Sequence, residues 1–305
     1  MMESLKRKFR YRLFRQTWNI GVINQPVHVV AGLKGEALQR QALEAISWMD
    51  EVRGTFKADP FLAPGNDESE ILALYEHYDW PLDKGKINAV RWDGSKFGQP
   101  GLSLDSTHHL SYPYVYAEDD TIFFMPEHAA AGEVSRYRFD GTGKALDKVT
   151  ILPKHEFVDS TLMKHQGKYW LFATHAGTTV DSELHLYYSD ALSGPWHAHQ
   201  SNPVKSDPNG ARPAGQPFCF KGELFRPGQN CSRSYGENIV VHRIVRLSEQ
   251  EFVEVPETVI RAPRSWVYDF GLHNISHLGD MTIVDGARLE SKLHPALDRF
   301  SALVR

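Results

Sequence analysis

Several things are scarce in this 305-residue chain, and each absence narrows what it can be. There are two cysteines, Cys219 and Cys231, too few for a disulfide framework, and no Cys-x-x-Cys pair of the kind that holds zinc. They read as free thiols of a reducing compartment, with a single disulfide left open. No stretch approaches the ~20 apolar residues of a spanning helix. The N-terminus runs basic as far as Arg15, where a secretory signal would carry an apolar core. The expected location is therefore cytoplasmic, or peripheral at a membrane. No Gly-x-Gly-x-x-Gly or P-loop pattern occurs, which argues against a Rossmann or P-loop nucleotide site. The net charge of −4 gives no global attraction for nucleic acid. Helical periodicity is also rare. Its clearest instance spans residues 36–49, where Leu38, Leu43, Ile46 and Trp48 form a ragged stripe.

What is present is a repeat. Apolar, aromatic or branched segments begin at 70, 121, 168, 223 and 280, at intervals of about 50 residues. Ahead of each runs a short strand with a polar residue near its start, at 56–61, 110–115, 157–162, 211–215 and 271–275. More strand-like sequence follows, as at 183–188 and 238–242. Five such units predict an all-β fold, a five-bladed β-propeller over residues 18–305 with a short N-terminal helical segment. The segment 18–23 is placed to close the ring against the last blade. A sandwich or jelly roll is the rival, but it predicts strands every 8–12 residues without the longer period. Residues 1–17 form a separate basic arm, in which Leu5, Phe9 and Leu13 share one helical face among six cations. Such an arm suits an anionic membrane surface, or is merely solvated.

In a propeller the first strand of each blade lines the channel. The five segments above then bring Asp59, Tyr112, Asp159, Arg212 and His273 to one funnel, and Glu127 at the end of a second strand reaches the same space. Each has a structural alternative. Asp59 before Pro60 and Asp159 before Ser160 can cap turns, Arg212 can bridge blades, and His273 can be a satisfied core histidine. Their recurrence at one place in the repeat favours a site. A sugar would also want flat aromatic faces, for which Trp80, Tyr112, Trp170, Trp196 and Tyr235 are candidates, although most aromatics pack in cores. The fifteen histidines match no familiar ligand spacing, so no metal and no cofactor is expected.

Read together, 58–61, 158–162, 168–172 and the Ser189-Asp190 with Gly194-Pro195-Trp196 ending resemble the five-bladed propellers of glycoside hydrolase family 43. Phe-x-Ala-Asp-Pro-Phe at 56–61, His-Leu-Ser-Tyr-Pro at 109–113, Pro126-Glu127, Phe-Val-Asp-x-Thr at 157–161 and Ala-Arg-Pro-Ala-Gly at 211–215 resemble the propeller domain of glucosamine inositolphosphorylceramide transferase-like proteins more closely. The resemblance implies that Asp59 is the general base and that Asp159 orients the sugar and tunes the base. Where family 43 has its general acid, this chain has Arg212. Without an acid, hydrolysis of an ordinary glycoside loses roughly 10²–10⁴ in rate. A guanidinium suits a phosphate leaving group instead. Arg226, Gln229 or Arg288 on adjacent strands would help Arg212, and Tyr235 would line the site. The expected activity is transfer of a sugar from a nucleotide- or lipid-phosphate-linked donor to a glycan or lipid acceptor. A hydrolase with a relocated acid such as Glu127 or Glu237, and a non-catalytic sugar-binding module, are the alternatives.

Overall fold

A computed structural model of the chain describes residues 13–67, 70–119 and 121–292. Its strands form five antiparallel sheets, the blades of a β-propeller. Blade one runs from its inner strand Thr55–Pro64 through Ile71–Asp79 and Lys84–Trp92 to Gly101–Leu104. Blade two comprises Ser111–Glu118, Thr121–Glu127, Glu133–Phe139 and Ala145–Pro153, and blade three Phe157–His165, Lys168–His175, Glu183–Ser189 and His197–Ala198. Blade four comprises Asn209–Pro213, Glu223–Asn230, Asn238–Leu247 and Phe252–Ile260.

Blade five is built from both ends of the chain. Ile275–Leu278 and Met281–Ser291 are followed in the sheet by Phe14–Ile23 and Ser47–Trp48. The N-terminal strand pairs along its whole length, from Phe14 opposite Ser291 to Ile23 opposite Thr282. The ring is closed by hydrogen bonds between segments that sequence order keeps farthest apart. Residues 1–12 of the basic arm lie outside the described residues, while Phe14–Thr17, assigned to that arm by sequence, are part of the closing strand.

The second strands read as almost continuous apolar runs because both of their faces are covered by neighbouring blades. Leu72, Ala73, Leu74 and Tyr75 are all buried, as are Leu171, Phe172 and Ala173. One core cluster joins blades one to three around Phe61, Tyr114, Phe124 and Phe157. Truncating such a fully buried Phe to Ala costs about 3–5 kcal/mol.

The expected helix is shorter than its stripe. Among the described residues two α-helices occur, Val27–Val30 and Glu36–Glu44, and they dock on blades four and five through the Trp266 indole on the Leu43 carbonyl at 2.9 Å and Gln39 on the Val259 carbonyl at 3.3 Å. Residues 47–48 leave the helix to pair with Gly21 and Val22, and the Ile46 side chain fills the space where a Cβ on Gly21 would sit. Tertiary pairing overrides the local period there. Both cysteines are free, Cys231 buried and Cys219 exposed. No described helix is long and apolar enough to cross a membrane.

Candidate active site at the propeller axis

The inner strands of blades one, two and three each break register at the same point, between Ala58 and Phe61, Ser111 and Tyr114, and Val158 and Thr161. The residue at each bulge is left-handed, with φ of 50° at Asp59, 43° at Tyr112 and 52° at Asp159. Non-glycine residues hold this conformation only where their surroundings fix them. Here the bulge turns one polar side chain per blade toward the axis.

Asp59 is buried, and its Oδ2 accepts the Tyr112 backbone N–H at 3.3 Å. Its own N–H donates to Asp285 Oδ2 at 3.1 Å. His273 lies between these carboxylates, Nε2 3.4 Å from Asp59 Oδ1 and Nδ1 2.7 Å from Asp285 Oδ2, the latter an ion-pair contact without hydrogen-bond alignment. Asp285 also accepts the His273 and Asn274 backbone N–H groups, each at 3.0 Å. Burial pushes the Asp59 carboxyl up to about 7; His273 pulls it down, and Asp159 and Asp285 push it further up. Burial works against a charged His273, but the two flanking carboxylates win and raise its pKa.

Asp159 is buried and accepts Arg212 Nε at 2.6 Å and Gln229 Nε2 at 2.9 Å on one oxygen. Arg212 Nη1 reaches Asp181 at 3.1 Å, and the guanidinium carbon stands 5.0 Å from the Tyr235 ring centre. That leaves Nη2 with no protein partner among the described residues. Tyr112 is fully buried. Gly215 N–H donates to its hydroxyl at 2.9 Å, the hydroxyl meets Thr161 Oγ1 at 2.7 Å, and Thr161 donates to the Asp159 carbonyl at 3.1 Å. This chain ties blades four, two and three together. It requires glycine at 215, whose φ is 113° and where a Cβ would fall 1.9 Å from the Ile275 carbonyl oxygen.

A cavity of about 360 Å³ opens over these groups, and Asp59, Glu76, Ser111, Glu127, Arg212 and Tyr235 are in its wall. Burial, followed by the charge of Asp159, pushes the Glu127 carboxyl up to about 8, with Arg212 opposing. Ser111 donates to Glu127 at 3.2 Å. Burial raises Glu76 well above the carboxylate range too, with Asp59 and Glu127 adding to it. His109 accepts the Gly85 N–H on Nδ1 at 3.0 Å, so its proton is on Nε2, which faces Glu76 at 3.4 Å. The cavity therefore holds two carboxyls, Glu76 and Glu127, whose acidity burial weakens, and a third, Asp59, held at about 7. Among the described residues, Asp59, His273 and Asp285 are the group whose atoms, all within 4.8 Å, could share a cation.

Asp59, Glu127, Arg212 and Tyr235 thus line one cavity, with Asp159, Gln229 and His273 directly behind. Tyr112 is a structural tie rather than a ligand contact. Arg288 is elsewhere: it pairs with Glu51 over Tyr268 in a separate cleft. It lies three positions from Asp285 on one strand, and an odd spacing puts the two on opposite faces. Arg226 is sealed inside blade four against Glu254. Trp170 is core. Glu76, Ser111, His109 and Asp285 were not anticipated. For Glu76 the signal was in the repeat: it pairs with Ala58, just before the bulge of blade one, as Glu127 pairs with Ser111 just before that of blade two.

The fold is similar to that of an exo-β-1,3-galactanase from Phanerochaete chrysosporium, with a TM-score of 0.53 at 12% identity over 70% of this chain and 54% of that one. It is similar also to an exo-β-1,3-galactanase from Clostridium thermocellum, with a TM-score of 0.52 at 10% identity over 70% and 53%. At such identities the likeness shows a shared propeller fold and no more. In sequence, residues 45–266 match the family described as glucosamine inositolphosphorylceramide transferase 1, N-terminal, and the chain belongs to it. It is 32% identical over 252 residues to glucosamine inositolphosphorylceramide transferase 1 of Oryza sativa subsp. japonica, covering 77% of this chain and 34% of the relative. The corresponding protein of Arabidopsis thaliana is 32% identical over 253 residues, covering 77% and 33%. The chain spans about a third of the length of these relatives.

Proposed function

We propose that the axial cavity transfers a sugar from a phosphate-activated donor to a hydroxyl acceptor. The observation that carries the reading is Arg212, which faces the same cavity as Asp59 and keeps Nη2 free where a family 43 hydrolase would place its acid. Asp59 takes the acceptor hydroxyl proton as that oxygen bonds to the anomeric carbon. The bond from that carbon to the phosphate oxygen breaks, and both electrons leave with the phosphate, whose charge Arg212 meets. A base near pH 7 and an imidazole that orients it are the components this step needs. Burial weakens the acidity of Glu76 and Glu127, which lowers the negative charge an entering anion meets. The relatives bear the name of a transferase, which agrees with this chemistry.

A second reading rests on Glu127. A carboxyl pushed up to about 8 in the same cavity can donate a proton to an alkoxide leaving group, as a hydrolase requires. The two separate by substrate: nucleotide sugars and sugar phosphates are turned over in the first case, oligosaccharides in the second. With a phosphate donor, Asp59→Asn should lower turnover roughly 10²–10⁴-fold while binding changes little. Arg212→Lys should lower it roughly 10²–10³-fold, because a point charge cannot reproduce the planar fork. Full activity in Asp59→Asn would sink the transfer mechanism.

A further inference from the structure

Strand direction alternates within each blade, so two kinds of join share one face of the ring: outer strand to next inner strand, and second strand to third. The axial cavity opens on that face. Ala176, Gly177 and Val180, between the second and third strands of blade three, are in its wall. Three other joins of the same face end in exposed apolar side chains. Leu82, between the second and third strands of blade one, is 69% exposed. Val267, on the way from blade four to blade five, is 65% exposed, and Val52, on the way from blade five to blade one, 53%. Leu82 and Val267 are the most exposed large apolar side chains among the described residues.

These tips adjoin. Val52 and Val267 are in the wall of one cleft of about 1320 Å³ between blades five and one. The turn bearing Leu82 is fastened to the turn bearing Val52, since the Trp80 N–H donates to the Gly54 carbonyl at 3.0 Å. Single exposed apolar side chains are ordinary, but three on adjoining loops mark a contact surface. The second observation is where the chain meets this rim. The Lys292 N–H donates to the Leu13 carbonyl at 2.8 Å, and Arg15 and Glu290, each two residues further in, are in the cleft wall. The twelve residues ahead of Leu13, which therefore join the body at this rim, carry five cations and one acid in a chain whose net charge is −4. On the rim itself the charges offset. Arg15 pairs with Glu290 at 2.7 Å and Arg288 with Glu51 at 3.0 Å, and the exposed Arg53 and Arg264 are matched in number by the exposed Asp50 and Asp83. The surplus positive charge comes from the segment before Leu13.

Apolar loop tips beside a basic segment call for a surface that is anionic outside and apolar within. A soluble anion would meet the charge and leave the tips in water; an apolar protein groove would cover the tips and ignore the charge. We propose that this face docks on an anionic lipid bilayer, with Leu82, Val52 and Val267 entering the headgroup layer and residues 1–12 drawn to the lipid charge. Docked in this way, the axial cavity opens toward the bilayer, because Phe56 is in the walls of both the cleft and the cavity. The inference is independent of the transfer reading, since docking requires no turnover.

The test is co-sedimentation of the full chain with vesicles of phosphatidylcholine alone and of phosphatidylcholine with phosphatidylserine. Binding is expected with the anionic vesicles and should weaken as salt is raised. Leu82→Ser with Val267→Ser should weaken it about tenfold. Both side chains are exposed, so the melting temperature of this double variant should stay that of wild type. Val245→Ser is the control: Val245 is 47% exposed near the far end of the third strand of blade four, on the opposite face, and the variant should bind as wild type does. Replacing Lys6, Arg7, Lys8, Arg10 and Arg12 together by glutamine should weaken binding about a hundredfold or more at low salt. Wild type that stays in solution with anionic vesicles at low salt overturns the proposal. Undiminished binding by the double variant does so too, for the basic segment would then act alone, as does an equal loss in Val245→Ser. A wild-type dimer in sedimentation velocity that the double substitution splits, and that binds no vesicle, gives the face to a second copy and overturns it as well.

Discussion

Blade four holds one arginine cluster in its interior and contributes another to the axis, and the two have opposite electrostatics. Inside the blade, Arg226 is fully buried and grips Glu254 with both arms, Nε to Oε2 at 2.8 Å and Nη2 to Oε1 at 2.6 Å. Lys205 adds a bond to Glu254 at 2.9 Å and donates to His242 at 2.8 Å. Burial works against the Glu254 charge, yet Arg226 and its neighbours hold the carboxyl down to about 2. Burial and the same arginine push His242 down to about 3, so it stays neutral. Two cations, Arg226 and Lys205, share the one carboxylate of Glu254. At the axis, Arg212 serves Asp159 and Asp181, and Asp59, Glu76 and Glu127 share the space without a cation for each. Their acidity falls instead. The cluster whose carboxylate is held by cations is architecture; the one with carboxyls to spare keeps protons to exchange.

The contrast is broken most forcefully at Arg226. Arg226→Ala leaves a buried Glu254 with Lys205 alone and should destabilise the fold by about 3–5 kcal/mol in denaturant unfolding. A variant of unchanged stability would show that the blade-four cluster is not structural. Tyr112→Phe tests the frame beneath the axial cluster. It strands the Gly215 N–H and should cost about 1–3 kcal/mol in the same assay; a loss under a few tenths would mean the tie between blades carries nothing.

The dependence on pH is the most diagnostic, because the clusters predict opposite pH flanks. Glu127 titrates at about 8 in the folded chain and near ~4.3 unfolded. Between those values the folded state keeps a proton that the unfolded state releases, so stability is lost as pH rises through that window. Asp59, at about 7, adds to the same flank. Glu254, at about 2, does the reverse, its contribution being lost as pH falls below ~4.3. Melting temperature against pH should therefore lose part of its upper slope in Glu127→Gln and part of its acid slope in Glu254→Gln. If Glu127→Gln leaves the decline between pH 5 and 8 unchanged, its carboxyl is ionised like any surface glutamate.

The repeat was legible because a strand's apolar period is local. Segments beginning at 121, 168 and 223 in sequence begin strands at Thr121, Lys168 and Glu223. Asp59, Asp159 and Arg212 were legible for a related reason, since each sits at or near the same place in its blade. Where locality failed, so did the reading. His273 precedes its strand, which starts at Ile275. Arg288 lay on the opposite face, and Asp285, on the same strand, went unnoticed although it braces both Asp59 and His273.

The order of the blades, the closing role of the N-terminal strand and the polar residues of the bulges follow from sequence alone, through alternation and a period of about 50 residues. Sequence could not say that Arg226 would be sealed inside blade four, or that Asp59 would titrate near neutrality while Glu254 stays ionised. Those properties belong to charges brought together from distant segments, such as Asp59 and Asp285, 226 positions apart. Desolvation and Coulomb fields depend on distance in space, and only the closed ring sets it.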